Sequence, residues 1–170
     1  RNRELMAEII SKQTGIRPYS SFHTIHNYID IKEMILRKGS IAAHDGEKVL
    51  IPINMRDGSV LAIGKGNSEW NYSAPHGAGR LMSRMQAKEN ISLEDYKKSM
   101  EGVYTTSVNL ETLDEAPMAY KSLNDIIDVI KETVDTAFAE ERKAAAPKIE
   151  IDVSKLQSIR DTADITRDKL

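Results

Sequence analysis

The segment "SAPHGAGRLMSR" at residues 73–84 sets His76 directly before Gly77, Ala78, Gly79 and Arg80, with Arg84 four residues further on. Each residue type in it suits a phosphate. Imidazole attacks phosphorus through an unprotonated nitrogen, which its ordinary pKa of about 6.5 makes available at neutral pH. Glycines carry no Cβ, so a phosphoryl group can approach the backbone closely. Should residues 77–79 lead straight into a helix, the free amides of its first turn would favour an anion. Arg80 and Arg84, spaced by one helical turn, present forks that match phosphate oxygens. The same letters also describe a tight loop entering a helix, with an incidental histidine and two solvated arginines.

The other histidines offer different chemistry. His23 and His26 lie three apart in "SFHTIHNYID", and neutral imidazole suits a borderline metal such as manganese or zinc. The pair equally fits ordinary structural histidines. His44, in "AHDGEK", sits at an apparent turn and reads as a surface residue. Aromatic residues make up only 5% of the chain, too few for the stacking platform that single-strand binders use.

Short strands and covering helices must position these groups. "MILRKGSIAAHDGEKVLIPINMRDGSVLAIGKG" is rich in Ile, Val and Leu and is punctuated by Lys-Gly and Asp-Gly turn signals. It predicts strands near residues 33–37, 40–43, 48–53 and 59–63. "AGRLMSRMQAKE" predicts a helix immediately after the glycines, and Ser92 opens another with Asp95 three residues on. "VYTTSVN" reads as a further strand. Ser122 with Asp125 starts a helix, after which Leu123, Ile126, Ile127, Ile130, Val134 and Phe138 recur at helical spacing as a core stripe. Near the amino end, Leu5, Met6, Ile9 and Ile10 share one stripe before Gly15 and Pro18, which predicts an amphipathic helix over residues 1–16 that needs a partner surface. "ERKAAAPKIEI" reads as a linker or fraying helix end, and residues 136–170 form a divergent helical tail. The fold class expected is α+β, with short mixed strands packed against helices.

Composition bounds the function. A length of 170 residues with 40% hydrophobic and 29% charged residues is that of a soluble globular domain with a real core. A formal charge of -2 provides no global basic field, so any nucleic-acid contact has to come from a local cluster. Cysteine is absent, which excludes disulfides and thiolate chemistry. No apolar run approaches the roughly 20 residues needed to span a bilayer, and no charged-then-apolar leader opens the chain. A cytoplasmic location away from membranes is the expectation. Arg1 in place of methionine suggests a fragment or a processed chain.

Three stretches resemble the RNA-splicing ligase RtcB family in order and spacing: "HNYI" at 26–29, "RKGSIAAHDGEKVLIPINM" at 37–55 and "GKGNSEWNYSAPHGAGRLMSR" at 64–84. "DEAPMAYKSLNDII" at 114–127 is similar to the segment beyond that family's active site. The resemblance covers roughly residues 17–135 and implies the carboxyl-terminal portion of a partial RtcB-like fold. The family joins an RNA end bearing a 2',3'-cyclic phosphate or 3'-phosphate to a 5'-hydroxyl end, using GTP and manganese. The resemblance implies that His76 is the nucleophile that forms a covalent GMP-histidine, and that His26 is a manganese ligand with Asn27 beside it as a nucleotide contact. "PINMRDGS" aligns with the guanine-nucleotide loop, which implies contacts from Pro52, Ile53, Asn54, Met55 and Ser59, joined by Gly77, Ala78 and Gly79. Ile53 and Asn54 depart from the commonest residues of that loop, glycine and serine. Arg80 and Arg84 would neutralise nucleotide or RNA phosphate.

The resemblance also implies what this sequence lacks. The family's amino-terminal half supplies most of the manganese site through an aspartate, a cysteine and further histidines, and none of those motifs occurs here. Lys169 lies near the carboxyl end, but no motif equates it with the family's terminal guanylate-contacting lysine. The implied partners are RNA ends, an amino-terminal half of the ligase and the activating protein archease. A non-catalytic RNA- or nucleotide-binding remnant, and a purely structural domain, are the alternatives.

Overall fold

The computed structural model describes residues 2–136. Residues 2–22 and residues 23–136 belong to different compact units. In the first, α1 (Asn2–Thr14) forms as the apolar spacing predicts. It ends at Gly15, whose φ of +71° is the left-handed conformation that closes many helices. Leu5, Met6, Ile9 and Ile10 on α1 are each more than half exposed.

The second unit is built from short antiparallel strands. β1 (Asn27–Asp30) and β2 (Ile35–Lys38) form a hairpin with Asn27 opposite Lys38. Its turn is held by the Asp30 carboxylate, which accepts from the backbone N–H groups of Lys32 and Glu33 at 3.0 and 3.2 Å. β3 (Ser40–Ala42) pairs with β6 (Ser73–Pro75). β4 (Lys48–Asn54), β5 (Gly58–Gly64) and β7 (Val134–Asp135) make a three-stranded sheet in the order β4-β5-β7. The α+β expectation is met, and every pairing between these strands is antiparallel.

Alternation decides which face of β4 is buried. Val49, Ile51 and Ile53 point inward while Lys48, Leu50 and Pro52 point out, as the two-residue period of a strand requires. Those three residues join Ile41, Val60, Ala62, Ala74 and Ala78 in one core, which α4 (Leu123–Ile130) covers with Ile126 and Ile130. Ser122 caps α4 by accepting from the Asp125 N–H at 3.2 Å, as foreseen. A second core gathers Ala87, Ile91, Tyr96, Met100, Leu113, Ala116 and Ala119 from α2 (Arg84–Asn90), α3 (Leu93–Ser99) and the 3-10 turns at Leu110–Glu115 and Pro117–Ala119.

Several expectations need correction. α2 begins at Arg84 rather than at residue 78, because Ser83 and Gln86 form a reciprocal capping box there and Gly79 holds a φ of +75° that no right-handed helix admits. Arg80 instead bridges to Tyr120, and the Leu81 N–H donates to the Ala119 carbonyl. "VYTTSVN" is irregular: Thr105 and Asn109 side chains accept from nearby backbone N–H groups, which competes with a ladder. Val134 is buried as expected but belongs to β7, since α4 stops at Ile130 and Thr133 folds back on the Ile130 carbonyl. β1 and β6 are strands that the sequence reading left unassigned. Phe138 and the expected tail lie outside the described residues.

Arg37 ties the hairpin to the rest of this unit. Its side chain is fully buried on β2. Its Nε donates to the Ser73 hydroxyl at 3.0 Å, one terminal nitrogen to the Tyr28 hydroxyl at 3.0 Å, and the other to the Asn71 carbonyl at 3.2 Å. Asn71 and Tyr72 both adopt left-handed φ, at 49° and 50°. Asp30 and Glu33 compensate the charge at 3.8 and 3.4 Å. Removing one partner of a buried ionic network leaves the others unsatisfied. Arg37→Met should therefore destabilise the chain by about 3 kcal/mol or more, read as a lower urea midpoint in equilibrium unfolding.

Candidate functional site

The loop after β6, the segment entering β1 and the β4–β5 turn meet over one cavity of about 830 Å³. His26, Pro52, Ile53, Asn54, Met55, Ser59, His76, Gly77, Ala78, Gly79 and Arg80 all line it. Asn27, Arg84 and His23 do not line it. Thr24, Leu50, Gly58, Glu115 and Tyr120 also contribute. The sequence reading assigned none of these a role, although "DEAPMAYK" already contained Glu115 and Tyr120.

His76 follows the last residue of β6, and its ring stacks on His26 with centroids 4.8 Å apart and planes inclined by 16°. Its Nδ1 lies 2.5 Å from the Gly39 carbonyl oxygen. A carbonyl can only accept, so Nδ1 carries the proton, and in the neutral ring the lone pair lies on Nε2. Gly39 also faces the other way, its N–H directed at the His26 carbonyl at 2.9 Å and at the Asn27 side-chain oxygen at 3.3 Å. One residue thus spaces the two histidines and orients Asn27. Glycine suits this position because its φ is +72°, and a Cβ there would rest in van der Waals contact with the His76 ring at 3.4 Å.

The glycine loop packs against the end of β4. The Ala78 N–H donates to the Pro52 carbonyl at 3.1 Å, and a Cβ on Gly77 would lie 3.4 Å from the same oxygen. Ile53 is buried in the core, so its side chain serves packing. Asn54 shapes the β4–β5 turn: its oxygen accepts from the N–H groups of Arg56 and Asp57, and its amide donates to the Asp57 carboxylate at 2.8 Å. Arg56 and then Asn54 hold the Asp57 carboxyl below its ordinary range. Met55 receives the Tyr96 hydroxyl on its sulfur at 3.3 Å, joining this turn to the second core.

The two arginines converge on acidic residues rather than on a helix face. Arg80 donates to the Met82 and Asp114 carbonyls and to the Tyr120 hydroxyl, and lies over the Tyr120 ring at 4.8 Å. Arg84 approaches Asp114 and Glu115, each at 3.7 Å. Tyr120 in turn donates to Glu115. Burial, then this bond to Glu115, pushes the Tyr120 phenol up to about 12, so it remains a neutral donor at physiological pH. Arg80 is held in place by protein acceptors at the cavity wall, while the Arg84 side chain is largely exposed.

Among the described residues, no cluster of three or more His, Cys, Asp or Glu side chains is arranged to hold an ion, whereas catalytic metal sites use about three protein ligands. His26 alone does not make a manganese site. Among the same residues, no helix is long and apolar enough to cross a membrane.

Residues 1–145 match the family model described as "tRNA-splicing ligase RtcB". The RNA-splicing ligase RtcB of Escherichia coli strain K12 is 34% identical over 119 residues, which is 66% of this chain and 29% of that protein. The tRNA-splicing ligases RtcB of Aeropyrum pernix and Archaeoglobus fulgidus are each 38% identical, over 89 and 90 residues, covering 49% and 50% of this chain and 18% and 19% of those proteins. The chain therefore spans less than a third of the length of these curated relatives.

The spacing role of Gly39 is directly measurable. Gly39→Ala forces a left-handed alanine, which costs about 1–2 kcal/mol, and the backbone shift that relieves it moves the carbonyl that holds His76 Nδ1. The nitrogen chemical shifts of His76 should move from a single Nδ1–H tautomer towards a mixture, in protein that circular dichroism shows to be folded.

Proposed function

This chain belongs to the tRNA-splicing ligase RtcB family, and we propose that it carries the guanylyl-transfer portion of a GTP-dependent RNA ligase. The observation that supports this reading most strongly is the placement of His76 Nδ1 against the Gly39 carbonyl oxygen. The Gly39 carbonyl occupies Nδ1, which keeps the lone pair on Nε2, in a residue that lines the cavity beside a glycine loop.

In the proposed reaction, the Nε2 lone pair of His76 attacks the α-phosphorus of GTP. An N–P bond forms, the bond from that phosphorus to the α–β bridging oxygen breaks, and pyrophosphate leaves with the electron pair. The ring proton on Nδ1 stays against the Gly39 carbonyl, which stabilises the positive charge that the imidazole acquires. An oxygen of an RNA 3'-phosphate then attacks the guanylyl phosphorus, and the N–P electron pair returns to His76. Finally the 5'-hydroxyl oxygen attacks the activated 3'-phosphate, its proton passes to solvent, and GMP departs as the new phosphodiester forms. A 2',3'-cyclic phosphate enters after water opens it to the 3'-phosphate. This divides one difficult displacement into easier ones.

The chain's own residues account for positioning. Gly77 and Gly79 keep the wall beside His76 free of Cβ atoms, Pro52 and Ala78 fix the loop through their backbone bond, and Ser59 lies across the cavity wall from β4. Asn54 spends its side chain on the β4–β5 turn, so any nucleotide contact from residues 53 and 54 falls to the backbone. Manganese dependence, in this reading, comes from ligands that the rest of a family enzyme contributes alongside His26.

The absence of a three-residue metal cluster among the described residues favours one second reading, a remnant that binds nucleotide or RNA without chemistry. Incubation with α-labelled GTP and manganese separates the two. The chain combined with the amino-terminal half of a family ligase should acquire an acid-labile, alkali-stable adduct that His76→Ala reduces to background. Salt-sensitive RNA or nucleotide binding with no adduct in the combined sample would select the remnant instead.

A further inference from the structure

We propose that His44 is a positioning residue whose imidazolium clamps the β1–β2 hairpin, and with it His26 and Asn27, against the strand pair that carries His76. His44 lies in the turn between β3 and β4. Its Nδ1 meets the Glu47 carboxylate at 2.8 Å and its Nε2 meets the Glu33 carboxylate at 2.7 Å. Both contacts face carboxylate oxygens, so both nitrogens must donate for the pair to persist, and only the protonated ring has two N–H groups. The nitrogens point to opposite sides of the ring, so one metal ion cannot replace the arrangement.

Glu33 links the clamp to the hairpin. It sits in the β1–β2 turn and turns its second oxygen towards the buried Arg37 at 3.4 Å, beside Asp30 at 3.8 Å from the same guanidinium. Glu47 belongs to the His44 turn and also accepts the His44 backbone N–H at 3.1 Å. From the segment entering β6, the Tyr72 ring stacks on His44 at 5.6 Å, and the Tyr72 carbonyl accepts from both Ala43 and Arg37. Backbone crowding limits any escape of this turn, because a Cβ on Gly64 would stand 2.3 Å from the His44 carbonyl oxygen. The charged groups around His44 are therefore Glu47 and Asp45 on its own turn, and Glu33, Asp30 and Arg37 on the hairpin.

The direction of the pH effect follows. Bonds to Glu47 and then Glu33 raise the His44 pKa above 6.5. A raised folded-state pKa contributes stability that is fully present below the unfolded value and is lost as pH climbs through the folded one. Neutral His44 has a single N–H and releases one carboxylate. The one remaining N–H is then shared between Glu47 and Glu33, so the link from His44 to the hairpin weakens.

Nuclear magnetic resonance on the full chain, from about pH 5 to about pH 9, tests this without ligase chemistry, so a failed guanylation assay leaves the result standing. His44 ring signals should titrate with a midpoint above 6.5. Hairpin amide exchange, corrected for its intrinsic base dependence, should rise about two- to fivefold through that midpoint, the range set by an exposed ion pair. Cross-relaxation between the His26 and His76 rings should weaken in step. His44→Arg, a permanent cation, should keep exchange slow at every pH. His44→Gln should abolish the transition, and Glu33→Gln, which still accepts from Arg37, should do the same if the first variant folds poorly. Hairpin exchange without a pH transition in the wild type, or an unchanged transition in His44→Gln or Glu33→Gln, would overturn the proposal.

Discussion

Burying the Arg37 guanidinium is the constraint on which this site depends. A charge taken out of water must find several acceptors at once, and Arg37 finds them on two elements distant in sequence: Tyr28 and Glu33 in the hairpin, and Asn71, Tyr72 and Ser73 at the entry to β6. The carbonyls of Asn71 and Tyr72 are available because both residues take left-handed backbone, a conformation that is uncommon outside glycine. Satisfying one buried cation thus determines where the hairpin ends, and the hairpin begins next to His26.

From that anchor the geometry passes through a single glycine. Gly39 follows β2 and precedes β3, and it has the backbone freedom to direct its N–H at His26 and Asn27 and its carbonyl at His76. The tautomer of the His76 imidazole is therefore a property of the main chain. No acidic side chain is needed to hold it, unlike the histidine of a catalytic triad. Glu115 in the cavity lining and its neighbour Asp114 are engaged elsewhere, with Arg80 and Tyr120 at the far wall and with Arg84 outside it.

Residues that share one sequence motif divide between packing the core and shaping the cavity wall. Ile53 occupies an inward position of β4 and completes the core, whereas Pro52 beside it faces outward and lends its carbonyl to Ala78. Asn54 stabilises its own turn. Arg80, spaced from Arg84 like a helical neighbour, precedes the helix and bridges to Tyr120. Spacing along the chain carries this information only when the local conformation is already known.

The sequence by itself determined much of the local order. Runs rich in Ile, Val and Leu between Asp-Gly turns marked β4 and β5, Ser92 and Ser122 marked helix starts, and the apolar stripe from Leu123 marked the helix that closes the core, although it was read past Ile130, because these signals depend on neighbours a few residues apart. The histidine-glycine segment, with the two stretches before it, likewise pointed to the right family and gathered most of the cavity's residues. Only the tertiary structure decided the pairing of β3 with β6, the stacking of His26 on His76, the Gly39 bond that selects Nε2, and the place of Glu115 and Tyr120 in the wall. Those features arise between segments tens of residues apart, where closure is governed by packing and by the need to satisfy a buried cation, and no periodicity within either segment records them.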